Sequence, residues 1–394
     1  MLQVVICSPN IKELYPRDKS IKTIDIEGVP VTCALVETPD PEFDPGLKEN
    51  SYKVLVKKRA FSCNYRDRAF ILTTALKCNQ SKGDKIDAGS VGSDFVADVI
   101  AVGSKVKDLK PGDRVIGDGH YPAGPKDFLI GPEYEGVNIG LPTNNASREM
   151  DVFHCRKLMK IPAGMSDEVA ASFMVGGITS YSMLRKLNIQ DGDTILVTAA
   201  KSNTSLFILS ALKKWKKKKK IKIYATSGSR KYEKRLKEMG VDELFISEPG
   251  NPLLFDKKSL DKIQSQRIFF TCVIDPFFDL FFGKVVKYMP FGARYTTCGL
   301  QDQHHDLVGL APTRNNQGPE LTYAISQLMM FNMVFVGNCV GLTSDLKQAV
   351  RDHVKQDFDV QVDSVYEGID VAAFFERTYK AKNRWGKVVY KFPA

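Results

Sequence analysis

The chain has 394 residues, of which 43% are apolar and 26% charged, and carries a formal net charge of +10. That length supports two domains with substantial cores, and the composition is that of an ordinary globular protein. No apolar run approaches bilayer-spanning length and the N-terminus lacks a secretion-signal layout, so a cytoplasmic location without a membrane partner is expected. Residues 213–222 (KKWKKKKKIK) hold eight Lys and no acid, which leaves the rest of the chain near neutral. The run reads first as a solvated surface at a helix end and second as a dock for an acidic peptide. Nucleic acid comes last, because no aromatic-interleaved basic face accompanies it. Eight cysteines (7, 33, 63, 78, 155, 272, 298 and 339) are scattered without C-x-x-C spacing. They read as buried free thiols in a reducing compartment.

Residues 1 to 50 read as short strands and turns, with β-type runs at Val4–Cys7, Lys22–Ile26 and Val31–Val36. Lys53–Lys57 is a clear strand. A polar cluster, Asn64-Tyr65-Arg66-Asp67, leads into an apolar segment at 69–76. Two further runs, 92–103 and 109–117, alternate as antiparallel strands joined by glycine and proline turns. Residues 118–150, rich in Gly, Pro and Asn, are expected as a long functional loop. From Ile161 the pattern changes. Ser166 is placed to cap a helix with Asp167 and Glu168 in its first turn, and another helix begins at Gly176.

The stretch from Asp193 to Gly240 has a single logic: an apolar strand (Thr194–Ala199), a polar turn (Ala200–Ser205), an apolar-periodic helix through Trp215 and a second strand (Ile221–Ala225). Such a βαβ unit sets a phosphate at a helix N-terminus. The turn has no glycine. Small residues partly replace it, and Lys201, Ser202, Asn203 and Thr204 supply a cradle of polar groups, with Asn203 or Thr204 placed to cap the helix. The competing reading is an ordinary cap in a fold that has lost its cofactor. After the second strand come Ser227, Gly228, Ser229, Arg230 and Lys231, with no carboxylate before Glu233. A carboxylate there suits the ribose of NAD and a basic residue the 2′-phosphate, so NADPH is expected. Strands at 268–275, 293–299 and 334–338 then alternate with helices at 279–289, 319–331 and 344–354, and Trp385–Tyr390 closes the chain as a strand. Alternating β and α between about 155 and 345 argues for a parallel doubly wound sheet.

The order of Asn64-Tyr65-Arg66-Asp67, Pro111-Gly112-Asp113-Arg114-Val115, Ala170-Ala171, Thr179-Ser180-Tyr181, Gly240-Val241-Asp242, Phe291-Gly292, Cys298-Gly299 and Gly386-Lys387 resembles the medium-chain dehydrogenase/reductase superfamily over nearly the whole chain. The resemblance implies an α/β fold, with a β-rich GroES-like substrate domain from 1–157 and 345–394 and a Rossmann domain at 158–344. It also implies a homodimer through the Rossmann sheets. Zinc-dependent members carry Cys near the Asn64 position and His-Glu near Ser93-Asp94; here Asn, Ser and Asp stand there, Cys63 is one place off, and the four-cysteine structural lobe is absent. The adjacent pairs His154-Cys155 and His304-His305 do not suit convergence on one ion. No metal is therefore expected.

The zinc-free branch that this resembles comprises quinone oxidoreductases and enoyl reductases, which deliver hydride to a polarised C=C bond. In that setting Asn64 is expected to donate to a carbonyl and Tyr65 to act as acid or position a water, with His120 and Tyr121 as second candidates. Asp67 is expected to be structural, pairing with Arg66 or a backbone amide. By family position Thr179, Cys298, Gly299, Gly337 and Asn338 line the nicotinamide, and Lys387 reaches a cofactor phosphate. A narrower similarity, to lanthipeptide reductases, implies dehydroalanine or dehydrobutyrine in a modified peptide as substrate. Quinones, enals and enoyl thioesters are the rival substrates, and a non-catalytic scaffold is the rival class.

Overall fold

The computed structural model describes residues 1–81, 87–119, 145–248, 250–300 and 318–393. They form two compact units, the first from Met1–Val175 with Gln361–Ala394, the second from Gly176–Asp306 with Leu310–Val360.

In the first unit, β1 (Leu2–Cys7), β2 (Lys22–Ile26), β3 (Val29–Glu37) and β5 (Ala88–Ser90) make an antiparallel sheet in the order β2-β3-β1-β5. A longer sheet runs β16 (Val362–Glu367), β17 (Lys387–Lys391), β4 (Lys53–Ser62), β6 (Asp94–Val102), β7 (Arg114–Gly117) and β9 (Leu158–Lys160), and β8 (Met150–His154) also pairs with β4. Alternating apolar residues of β4 and β17 bury one face, where Phe61 meets Phe374, Tyr390 and Phe392 at ring separations of 5.4 to 5.8 Å. The helices α1 (Ile11–Leu14), α2 (Asp67–Asn79) and α3 (Asp167–Ala170) also belong here, with a helix at Val371–Tyr379. Ser166 caps α3 as expected, its Oγ accepting from Val169 N at 3.3 Å.

The second unit holds six parallel strands: β10 (Thr194–Val197), β11 (Lys222–Ser227), β12 (Glu243–Ile246), β13 (Cys272–Asp275), β14 (Arg294–Thr297) and β15 (Val334–Gly337). Their spatial order is β12-β11-β10-β13-β14-β15. Counted from β10 this is 3-2-1-4-5-6, the doubly wound order whose reversal between the first and fourth strands opens a ligand crevice at the carboxyl ends. The helices are α4 (Met174–Leu187), which crosses the unit boundary, α5 (Asn203–Lys218), α6 (Glu233–Glu238), α7 (Lys257–Ser265), α8 (Phe278–Val285), α9 (Gly318–Met330) and α10 (Thr343–Val354); the helix at Val371–Tyr379 is α11. Phe245, Phe255, Phe270, Phe282 and Tyr295 build a buried aromatic core against the sheet.

The boundaries differ from those expected. The first lies at 175/176 rather than 157/158, because β9 pairs with β7 and Ser62 Oγ donates to Ala171 O at 2.8 Å. The second lies at 360/361, because α10 is tied to the parallel-sheet unit: Arg185 grips Asp345 through two bonds of 2.8 Å, and Tyr181 donates to Asp352 at 2.7 Å. The lysine run is also not simply solvated. Lys214 pairs with Asp352, Lys216 with Asp242 and Lys217 with Asp357, while Lys219 donates to Ile189 O. These cations pin the last turn of α5, where the helix dipole favours them, to its own unit. Among the described residues no helix is long and apolar enough to cross a membrane.

Candidate functional site

The first cluster sits at the end of β4 and the start of β6 and β17. β4 delivers Asn64 just past its last residue, β6 opens with Asp94, and β17 opens with Lys387. Gly386 makes that last entry possible. Its φ is +105°, and a Cβ there would lie 2.2 Å from Gln361 O, so only glycine brings the strand in.

The Lys387 ammonium is buried and donates to Cys63 O (3.1 Å), Asn64 Oδ1 (2.8 Å) and Asp94 Oδ2 (3.0 Å). An ammonium has three donors, and all three are used. Asn64 Nδ2 in turn donates to Ser93 Oγ (3.0 Å) and Asp94 Oδ2 (2.8 Å), and Asp94 Oδ1 accepts from Val175 N (2.8 Å). Lys387, expected by family position to reach a cofactor phosphate, is here the counter-ion of a carboxylate in its own unit. Asn64, expected to donate to a substrate carbonyl, has both N–H groups and its oxygen engaged by protein partners in this arrangement.

Asp67 is structural, as expected. It accepts from Asn64 N (2.7 Å), Ser93 Oγ (2.6 Å) and Arg66 (3.1 Å). Burial raises its carboxyl above the ordinary value against the pull of the Arg66 guanidinium. Tyr65 stays exposed, with the Arg68 guanidinium 4.3 Å from its ring. His120 and Tyr121 lie outside the described residues.

A zinc ion of the kind alcohol-oxidising relatives use does not fit this cluster. Its one well-placed carboxylate already holds an ammonium at 3.0 Å, and the other two positions are a neutral amide and a hydroxyl. The nearby Cys63 thiol is buried, and burial pushes it well above its usual value, away from the thiolate a metal needs. Among the described residues no three His, Cys, Asp or Glu side chains group to hold a metal.

The second cluster lies at the carboxyl edge of the parallel sheet, where β10, β11, β13, β14 and β15 all end. After β10 the chain turns through Ala199, which takes a left-handed φ of +45°. A side chain there is costly, and glycine would be free of the cost. Hydroxyls hold the turn in place of glycines. Ser202, rather than Asn203 or Thr204, caps α5: its Oγ accepts from Ser205 N at 3.1 Å, and Ser205 Oγ donates back to Thr198 O at 2.7 Å. Asn203 is the first residue of the helix, and its buried Oδ1 has no hydrogen-bond partner among the described residues. The leading N–H groups of a helix have no intrahelical acceptor, so this turn presents donors together with an unused polar atom. Those features fit a dinucleotide's phosphates and ribose.

Thr226 Oγ1 and O take the amides of Ala199 (3.0 Å) and Ala200 (2.8 Å), which locks β11 to the turn. Ser227 Oγ accepts from Ser229 N at 3.4 Å, and Arg230 pairs with Glu233 at 3.0 Å on an exposed surface. The Lys201 and Lys231 ammoniums lie 5.1 and 5.5 Å from the Tyr232 ring. Thr179 is buried on α4, and Gly299 O accepts from Phe278 N at 3.0 Å. Gly337 lies opposite Thr297, and Asn338 is held by Ser182 Oγ and Val340 O, each at 2.8 Å. Burial raises the Cys298 thiol to about 12, with Asp275 adding to the effect.

Sequence reasoning missed Asp275. It ends β13 at the switch point, fully buried, and accepts from Thr198 Oγ1 (2.6 Å), Phe277 N (2.8 Å) and Tyr295 OH. Burial lifts its carboxyl from 3.8 to about 6 even against these donors. A lone acid at the end of an apolar strand was the available signal.

Together these units define a nucleotide-binding α/β protein: a parallel doubly wound Rossmann sheet joined in sequence to a β-rich domain. Residues 50–163 match the alcohol dehydrogenase GroES-like domain and residues 163–247 the TrkA-N domain. A quinone oxidoreductase of Pseudomonas aeruginosa is 31% identical over 165 residues, 42% of this chain and 41% of that protein. An acryloyl-coenzyme A reductase of Metallosphaera sedula is 31% identical over 132 residues, 31% of this chain and 38% of that protein. The chain thus matches less than half the length of these relatives. The crystal structure of an NAD-dependent alcohol dehydrogenase shares the fold, with a TM-score of 0.68 and 22% identity over 91% of this chain and 95% of that one. The chain thus carries a stretch matching the alcohol dehydrogenase GroES-like domain followed by one matching the TrkA-N domain, and it shares its fold with that alcohol dehydrogenase.

Proposed function

We propose that the chain is an NADPH-dependent oxidoreductase that reduces a polarised C=C bond by hydride transfer without a catalytic zinc. The observation that carries this reading is the closed Asn64–Asp94–Lys387 network, which puts an ammonium and a neutral amide where a metal would need anionic ligands. When bound, the nicotinamide supplies the hydride. Asn64, held on three sides, acts as a positioning residue. Tyr65, exposed beside it in sequence, is the candidate proton source; its proton would pass to the α-carbon as the carbonyl oxygen collects charge.

The fold implies a nicotinamide dinucleotide, and the absence of a carboxylate between Ser227 and Glu233 supports NADPH over NADH. Arg230 can exchange its exposed partner Glu233 for a phosphate at little cost. The names of the Pseudomonas and Metallosphaera relatives favour quinones or enoyl thioesters as substrates. A dehydroalanine or dehydrobutyrine residue of a lanthipeptide is the sharper proposal, and it rests on alkene chemistry alone, since Lys214, Lys216 and Lys217 of the basic run are already paired with acids of the chain. We further propose a cytoplasmic homodimer. β15 is the last strand of its sheet, and it and the end of α9 expose Met329, Met330, Val334 and Phe335, an apolar edge that a second copy would cover.

NADPH and NADH oxidation, followed with a quinone, an enoyl thioester and a dehydrated peptide, tests the reading. Turnover with NADPH and any of these alkenes supports it, and quinone turnover alone sinks the peptide substrate. Failure to bind NADPH at millimolar concentration would favour a scaffold that has lost its cofactor.

A further inference from the structure

Two cysteines sit side by side at the carboxyl edge of the parallel sheet. Cys298 directly follows β14, and Cys339 comes two residues after β15. The strands are neighbours, with Thr297 opposite Gly337, and their pairing continues one step as Asn338 N donates to Thr297 O at 2.8 Å. Strands about 4.8 Å apart with a rise of about 3.3 Å per residue would, if the pairing ran on by one more residue, set the two cysteine Cα atoms about 6 Å apart. A disulfide spans about 4.4–6.8 Å between Cα atoms. Both segments have left regular strand geometry at this point, and Val340 adopts a φ of +51°, so the strict alternation of faces ends there. The Cys339 sulfur lies near enough to contribute to the upward push on the Cys298 thiol, after burial and Asp275. Cys339 is exposed and Cys298 half-buried, whereas Cys7, Cys33, Cys63, Cys78 and Cys272 are all buried.

We propose that Cys298 and Cys339 are a thiol pair that a hydroperoxide oxidises to a disulfide, and that this bond closes the nicotinamide end of the sheet. The consequence for the cofactor rests on reading that edge as the dinucleotide site. Cys339, the accessible sulfur, attacks the peroxide oxygen, becomes a sulfenic acid and releases an alcohol, or water from hydrogen peroxide. The Cys298 sulfur then displaces the sulfenic oxygen as a second water. Two thiols lose two electrons and two protons, one S–S bond forms, and the peroxide O–O bond is reduced. The new bond joins the segments that carry Gly299 and Asn338, and a bound dinucleotide would shield both thiols.

The test treats the full chain with hydrogen peroxide, maps its peptides by mass without reduction, and titrates NADPH by fluorescence before and after. The expected result is a Cys298–Cys339 cross-link in a single chain, NADPH affinity weaker by about tenfold or more, recovery with dithiothreitol and protection by prior NADPH. Cys339→Ala should bind NADPH as the wild type does and lose the peroxide response. Over-oxidation of Cys339 without a cross-link, or a cross-link that leaves NADPH affinity unchanged, overturns the proposal. Reduced protein that binds no nucleotide overturns the reading of the edge, while the cross-link, read by mass, still decides the thiol pair.

Discussion

Replacing Lys387 with Met removes the cation at the centre of the first cluster while keeping most of the side chain's bulk. The ammonium and the Asp94 carboxylate are 3.0 Å apart, with side-chain exposures of 1% and 0%. At an effective dielectric of about 20 their attraction is about 5.5 kcal/mol. Breaking a buried pair from one side costs about 3–5 kcal/mol, because the other charge stays buried without compensation. Asp94 would keep its bonds from Asn64 and Val175, which places Lys387→Met toward the lower end of that range. The double variant Asp94→Asn/Lys387→Met strands no charge and should recover at least about half of the loss. Urea unfolding followed by the fluorescence of Trp385, two residues from Lys387, reads the effect locally once the other tryptophan, Trp215, is changed to Phe. A Lys387→Met loss under about 1 kcal/mol, or a double variant no better than the single, would refute the argument that this pair holds the cluster closed.

Asp275 predicts an acid-side stability profile. Its folded value of about 6 lies above the ordinary 3.8, so its contribution is fully present below about pH 4 and lost as pH rises through 6, a change of about 3 kcal/mol. Asp275→Asn should flatten that slope in thermal melts between pH 4 and 7, and an identical slope in the variant would exclude Asp275 as its source. At Ala199, Gly should be neutral or stabilising by up to about 1 kcal/mol, because relief of the left-handed strain is offset by chain entropy, while Val should cost about 1–3 kcal/mol. Reversed order in the melting temperatures would falsify the strained-turn account. Phe335→Lys with Met329→Lys should shift the mass seen in sedimentation from dimer to monomer, and an unchanged mass would remove this edge as the interface.

Several features of this protein were readable from neighbouring residues alone. The apolar runs that became β10, β11, β13, β14 and β15 and the serine cap before α3 depend on periodicity and on backbone groups a few residues away, which any window of sequence displays. Even the glycine-less turn was visible, although the cap of α5 is Ser202, one or two places before the expected Asn203 or Thr204, since that depends on where the backbone first becomes helical. What Asn64 and Lys387 do was not readable. They are 323 residues apart, and their bond exists because β4, β6 and β17 meet in one sheet. The same holds for the unit boundaries and for the acids that pair with Lys214, Lys216 and Lys217. A charged side chain's role is set by the partner that desolvation obliges it to find, and only the folded chain selects that partner.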